Sequence, residues 1–175
     1  MRLRLPWAAT ALLPLVLLLY SCAVPQKMWP QKDMAASEIA GAANAPTVLL
    51  AARSSEFKMA LVERLSAMMT AEGIHLKIVG VEDLKTVNSE QYDVVLVIST
   101  CLAWGFDEEV RSFIGRHPSH DNMIFFTTSA SGDWMPDKEK LDYDAISSAS
   151  ELSDVESAAG NIMSSVHSAV KRTIP

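Results

Sequence analysis

The chain has 175 residues and is acidic, with 15 lysines and arginines against 21 aspartates and glutamates and a net charge of −6. An acidic chain repels phosphate backbones and anionic lipid headgroups, which argues against nucleic acid as a partner and against charge-driven membrane binding. The length suits one domain with an ordinary hydrophobic core.

The N-terminus has the pattern of an export signal. Arg2 and Arg4 precede an apolar run from residue 8 to 19, and small residues then lead to Cys22. The run is too short to cross a bilayer comfortably, because a spanning helix needs about 20 residues. The segment Leu19–Cys22 resembles the lipobox of bacterial lipoproteins, which implies cleavage before Cys22 and lipidation of that cysteine with diacylglycerol and palmitate-type acyl chains. The alternative is an uncleaved anchor formed by residues 5–24.

The lipobox resemblance divides the chain into three parts. Residues 1–21 would be a signal peptide, residues 22–45 the lipidated cysteine and a flexible tether, and residues 46–175 the folded domain. The tether assignment also follows from composition, since the segment lacks an apolar period and is rich in Pro, Gln, Lys and small residues. We therefore expect a lipid-anchored protein at the periplasmic face of the cell envelope, on the outer membrane in a two-membrane cell.

From residue 46 onward, apolar strands alternate with amphipathic helices. The predicted strands are 47–51, 74–81, 92–98, 123–127 and 143–146, with 74–81 at an edge of the sheet. The predicted helices are 57–69, 107–114 and 153–170, with a short turn at 82–87 and a capping box formed by Ser153 and Glu156. This alternation predicts an α/β three-layer sandwich whose five-stranded parallel sheet has the order 2-1-3-4-5.

Three loops should meet at the carboxyl edge of this sheet, where such folds bind ligands. The loops are residues 52–58, which contain Ser54-Ser55; residues 99–106, which contain Trp104-Gly105; and residues 128–134, which contain Thr128-Ser129 and Gly132-Asp133. With these residues, the part of the chain from 46 to about 172 resembles the flavodoxin family. The resemblance implies an FMN site formed by Ser54, Ser55, Thr100, Trp104, Gly105, Ser129 and Gly132.

The first loop departs from the family pattern. It has no glycine to let the backbone wrap a phosphate, and Glu56 adds a negative charge beside the expected phosphate position. Arg53 and Lys58 could offset that charge. Ser54 and Ser55 have a second interpretation, in which they simply cap the first helix.

A second flavin hypothesis concerns the segment that ends at Ser150. Residues 144–150 resemble a motif on which extracytoplasmic flavoproteins receive FMN covalently, which would make Ser150 the acceptor. Ser148 stands where that motif has glycine. The alternative is a strand followed by a hydroxyl-rich turn into the last helix.

The remaining candidates favour structural roles. Cys101 follows a buried strand and is expected to be a small buried residue rather than a reactive thiol. His117, His120 and Asp121 could hold zinc, but a polar surface loop is the commoner meaning of such a group. No nucleophile elbow or other catalytic arrangement is visible, so an enzyme cannot be argued.

Two functions fit these observations. The first is a membrane-tethered electron carrier with FMN between the three loops, serving an unidentified redox partner. The second is a cofactor-free binding or scaffolding lipoprotein that kept the fold and contacts another envelope protein or a small ligand.

Overall fold

The computed structural model describes residues 31–101, 107–129, 132 and 143–173. These residues form one six-stranded sheet with helices on both faces. The strands are β1 (Ser37–Ile39), β2 (Thr47–Ala52), β3 (His75–Gly80), β4 (Val94–Thr100), β5 (Met123–Thr128) and β6 (Asp144–Ser148). The α-helices are α1 (Glu56–Ala71), α2 (Glu108–Arg116) and α3 (Val155–Thr173), and 3-10 turns span Val81–Thr86, Ser89–Gln91 and Leu152–Asp154.

The sheet order is β1-β3-β2-β4-β5-β6, which corrects the expected count of five strands and the expected order. The additional strand, β1, pairs antiparallel with β3. The strands β2 to β6 are parallel to their neighbours, and their succession is flavodoxin-like. The expectation that residues 74–81 form an edge of the sheet was wrong, because β1 covers that edge.

The strands β2, β4 and β5 are largely apolar because both faces of the sheet are covered there. Along β2, Val48, Leu50 and Ala52 face a core formed with α1 and α3. The alternate residues Leu49 and Ala51 face a second core, formed with α2 and the turn after β3. This arrangement leaves the ends of the strands as the place where polar groups can gather.

Residues 31–39, here called the N-terminal strap, pack on the domain. The first part of the strap crosses the end of β2: the N–H of Met34 donates to the carbonyl of Ala52 at 3.0 Å, and the N–H of Ser54 donates to the carbonyl of Lys32 at 2.6 Å. Its last part is β1. This segment, which lies within the expected tether 22–45, thus contacts the domain.

The connection from the strap back to β2 runs close to the domain. A Cβ atom on Gly41 would lie only 2.4 Å from the carbonyl oxygen of Gly73 and from the backbone nitrogen of His75. Only glycine permits this approach, so the sequence after the strap is built to lie against the sheet.

The expected capping box before α3 has other contacts. The Ser153 hydroxyl donates to Asp154, and the Glu156 carboxylate accepts two hydrogen bonds from Arg64 on α1 at 2.8 and 2.6 Å. The pair of Glu156 and Arg64 links α3 to α1, and these contacts are not the reciprocal backbone capping that was expected. In the part of the chain that the structure describes, no helix combines the length and apolarity needed to cross a membrane.

Candidate functional site

Buried charges gather at the carboxyl edge of the sheet, where β2 lies between β3 and β4. Arg53 directly follows β2, and its side chain is only 9% exposed. Its Nε donates to Asp107 Oδ2 at 2.9 Å, and its Nη1 donates to Asp33 Oδ1 at 2.8 Å. The carboxylate of Glu82, which is largely exposed, lies 3.6 Å from the same Nη1. The guanidinium is thus held between two carboxylates that come from distant parts of the sequence.

Asp107 is the fixed partner of this guanidinium. Its side chain is almost fully buried, and its second oxygen caps α2 by accepting the N–H of Glu109 at 2.9 Å. Burial lowers the pKa of Arg53, but the hydrogen bond and charge of Asp107, together with the charges of Asp33 and Glu82, outweigh burial and raise it. Arg53 therefore stays charged at any relevant pH.

Asp33 is the partner that the strap supplies. Besides the Arg53 guanidinium, its carboxylate accepts the N–H groups of Val81 at 3.0 Å and Glu82 at 3.1 Å. The carboxylate lies against Gly80, where a Cβ atom would come within 2.6 Å of Asp33 Oδ2. Three hydrogen-bond donors and the backbone of Gly80, which has no side chain, thus surround the carboxylate of Asp33.

Lys58 adds a second buried cation. It lies in the first turn of α1, is 2% exposed, and donates through Nζ to the hydroxyl of Thr100 at the end of β4. Thr100 in turn donates to the side-chain oxygen of Gln31 at 3.3 Å. Burial, with a smaller contribution from the positive charge of Arg53, lowers the pKa of Lys58 to about 8, although Asp107 acts in the opposite direction.

The structure gives the two serines of the first loop structural contacts. Ser55 is the N-cap of α1, and its hydroxyl accepts the N–H of Lys58 at 3.3 Å. Ser54 donates its N–H to the strap. Glu56, in the first turn of α1, is exposed. The helix-capping interpretation thus has direct support for Ser55.

The other candidate residues are divided between two places. Thr100 belongs to the buried charge cluster through Lys58 and Gln31. Ser129 donates its N–H to the carbonyl of Ser148 at 3.1 Å, beside the end of β6. Gly132 has a φ of +74° and lies against the backbone of Ala149, and Ser150 is exposed one residue further along. Trp104, Gly105 and Cys22 lie outside the described residues.

The side chains of His117 and His120 contact backbone groups of the chain. His117 Nδ1 contacts the carbonyl of Phe113 at 2.8 Å, and its Nε2 accepts the N–H of Ser89 at 3.3 Å. His120 Nε2 contacts the carbonyl of Ile114 at 3.2 Å. Within the described ranges, no group of three His, Cys, Asp or Glu side chains is placed to hold a metal ion.

Sequence reasoning missed the acidic partners of this site. Asp33 and Gln31 lie in the segment assigned to the tether, and Asp107 was recognised only as the start of a helix. One signal was present: Arg53 directly follows a strand that is buried on both faces, and a charge in such a place needs a partner. The partner could not be named, because Asp33 and Asp107 lie 20 and 54 residues away.

The described first loop does not fit the phosphate of FMN. The N–H of Ser54 is used by Lys32, the hydroxyl of Ser55 caps α1, and the Arg53 guanidinium is turned toward Asp33 and Asp107. The carboxylate of Asp33 would also repel a phosphate placed against Arg53. These three groups of the first loop are therefore engaged by the chain itself.

No protein-family model and no curated protein matches the chain. Among solved structures, a flavodoxin from the domain Archaea is 11% identical, with a TM-score of 0.47 over 70% of this chain and 98% of that chain. An oxidoreductase from Corynebacterium diphtheriae is 10% identical, with a TM-score of 0.49 over 74% and 99%. The metal-soaked Flv1 flavodiiron core from Synechocystis is 11% identical, with a TM-score of 0.46 over 73% and 36%.

Replacement of the helix cap tests the role of the first loop. Ser55→Ala is expected to lower the free energy of unfolding by about 1 kcal/mol, because an orphan N–H at the start of α1 loses its acceptor. Urea unfolding of both proteins measures the change. Ser54→Ala is the matched control and should have a much smaller effect, because Ser54 uses its backbone N–H, which alanine retains. Equal losses in the two variants would contradict the capping role.

Proposed function

We propose that this chain is a cofactor-free, flavodoxin-like binding protein of the cell envelope, held at a membrane by a lipid on Cys22. One observation carries the binding role: the N-terminal strap lies across the first loop and places Asp33 on Arg53. A flavin carrier would keep this loop open for the phosphate of its cofactor.

The charges of the site support a binding role over catalysis. Arg53 is held in ion pairs with Asp33 and Asp107, and Lys58 is almost fully buried. Neither cation is presented to a substrate in the described part of the chain. A buried, paired cluster of this kind is suited to holding a segment of protein in place, as it holds the strap through Asp33.

Attachment to a membrane is proposed from the sequence. The basic start, the short apolar run and the lipobox-like residues before Cys22 support it. In a membrane fractionation of cells that produce the full chain, the parent chain should sediment with membranes at a lipidated mass, whereas Cys22→Ala should carry no lipid and should retain the signal peptide. A Cys22→Ala protein with the parent's mass and distribution would contradict lipidation.

FMN-dependent electron transfer is the second candidate. The succession of the five parallel strands favours it, since the loops after β2, β4 and β5 leave the same edge of the sheet. In that case Thr100, Ser129 and Gly132, with Trp104 and Gly105, would border the flavin ring, and the flavin would carry the electrons.

An absorption spectrum distinguishes the two functions. The full chain, purified in detergent without added cofactor, is expected to be colourless and to bind FMN more weakly than about 1 mM in a fluorescence titration. A yellow protein that releases flavin on acid precipitation would contradict the cofactor-free function and establish the carrier. Colour that stays in the precipitate would indicate covalent flavin, and its loss in Ser150→Ala would identify the acceptor.

A further inference from the structure

The contacts of Asp33 are those of a bound carboxylate. One carboxylate group receives the guanidinium of Arg53 and two backbone N–H groups, at distances of 2.8 to 3.1 Å. Charge-assisted hydrogen bonds from a guanidinium and from backbone N–H groups are among the strongest that a carboxylate can accept. Asp33 reaches this place from outside the five parallel strands that form the centre of the domain.

Gly80 shapes the space around this carboxylate. A Cβ atom at this position would lie 2.6 to 2.7 Å from the side chain of Asp33. Any other residue would therefore fill the place that the carboxylate occupies. The end of β3 thus leaves a space of the size of a carboxylate group. We call this space, with the donors of Arg53, Val81 and Glu82 that face it, the cradle.

The donors of the cradle do not depend on the strap for their position. Arg53 is fixed through Nε by Asp107, which is itself fixed to α2. The N–H groups of Val81 and Glu82 belong to the turn that follows β3. The cradle would therefore persist if Asp33 moved away.

The strap has two separate attachments. Residues 31–34 are held across the first loop by two backbone hydrogen bonds, by the contact of Gln31 with Thr100 and by Asp33 itself. Residues 37–39 are held at the edge of the sheet by pairing with β3 and by the contact of Glu38 with His75. Displacement of Asp33 requires only the first attachment to open, and such local opening costs less free energy than global unfolding.

We propose that Arg53, Gly80 and the N–H groups of Val81 and Glu82 form a carboxylate-binding site, that Asp33 is its internal ligand, and that an external carboxylate binds by displacing the strap. The inference rests on the proposed binding function and names the class of its ligand. The carboxylate could belong to a small organic acid or to the C-terminus of a peptide.

The strap sets the threshold for such a ligand. Asp33 is tethered to the domain and competes for the cradle at an effective concentration of about millimolar or more. An external carboxylate must bind well enough to displace Asp33 at that effective concentration. Removal of Asp33 removes the competitor and leaves the site available in every molecule. The apparent affinity should then rise by the factor that the strap had suppressed.

Acetate is the probe for this inference, and the full chain is compared with Asp33→Ala. Calorimetric titration with acetate, against chloride at equal ionic strength, should show binding to Asp33→Ala at least about tenfold tighter than to the parent chain. Glu56→Gln is the matched control. It removes one negative charge from an exposed position in the first turn of α1 and leaves Asp33 in the cradle, so it should resemble the parent.

Equal acetate affinities of Asp33→Ala and Glu56→Gln would overturn the inference. If Asp33→Ala does not fold, hydrogen exchange of the parent chain decides instead. Acetate should then accelerate exchange of the Met34 amide, which donates to Ala52, relative to chloride. An unchanged exchange rate would overturn displacement.

Two further measurements are needed. The first distinguishes a small organic acid from a peptide C-terminus, and the second tests the proposed function separately from the carboxylate site. N-acetyl-Ala-Ala with a free carboxyl group should bind more tightly than acetate if a peptide C-terminus is the ligand, and its amide should not bind. FMN bound by the parent chain would contradict the proposed function. It would leave the acetate comparison between Asp33→Ala and Glu56→Gln to decide the inference separately.

Discussion

Arg53→Met is expected to lower the free energy of unfolding by about 3 to 5 kcal/mol. Methionine fills much of the same space but leaves Asp107, which is almost fully buried, without the guanidinium. An uncompensated buried carboxylate is costly, because the remaining N–H donor from Glu109 cannot replace a positive charge. Urea or guanidinium unfolding of the full chain, monitored by circular dichroism, measures the loss.

Arg64→Met is the control for this experiment. Arg64 also makes two short hydrogen bonds to a carboxylate, that of Glu156, but both side chains are exposed. Water can solvate Glu156 when its partner is removed, so the loss should be far smaller. Similar losses in the two variants would show that Arg53 is not the centre of a buried ion-pair network.

The second large effect concerns the pH dependence of stability, and its source is Lys58. Its pKa is about 8 in the folded chain against an ordinary value of 10.5, so the unfolded chain binds more protons between these values. Stability therefore rises with pH in this window. We expect a gain of about 2 kcal/mol between pH 8 and pH 10. The penalty for the buried charge is present in full below pH 8 and disappears as the pH approaches 10.5.

Lys58→Met should abolish this rise and be at least as stable as the parent chain at pH 7. Burial raises the pKa of Tyr143, which makes stability fall above its ordinary value of 10, so the unfolding series should end at pH 10. Lys85→Met is the matched control, because Lys85 is more than half exposed and should leave the pH dependence intact. A flat profile in the parent chain would contradict a lowered pKa for Lys58.

The central fold was predictable because its signals are local. The runs in β2, β4 and β5 are continuously apolar, as strands covered on both faces must be. The strand β1 was not predictable in this way. It has only three residues, Ser37-Glu38-Ile39, and its pairing depends on the exposed edge of β3 rather than on its own pattern.

The position of the candidate site in the fold was predictable from the sequence, but the contacts between its side chains were not. The strand ends indicate the edge of the sheet where the buried charge cluster lies, and for Ser55 the sequence allows both a ligand-binding and a capping interpretation. The sequence does not predict where the side chains of Arg53 and Lys58 point, because their orientations depend on partners that other helices and strands supply. Asp33 and Asp107 meet at Arg53 only after the strap, β2 and α2 have come together.

Docking of the strap also sets where the site would stand relative to a membrane. If the chain is anchored at Cys22, only the nine residues 22–30 separate the lipid from Gln31, which contacts Thr100 at the carboxyl edge of the sheet. Nine residues reach at most roughly 30 Å when fully extended. The carboxyl edge would then face the bilayer across a gap about as wide as a small domain. A ligand for Arg53 would have to enter through that gap, which favours small molecules and peptide ends over folded proteins.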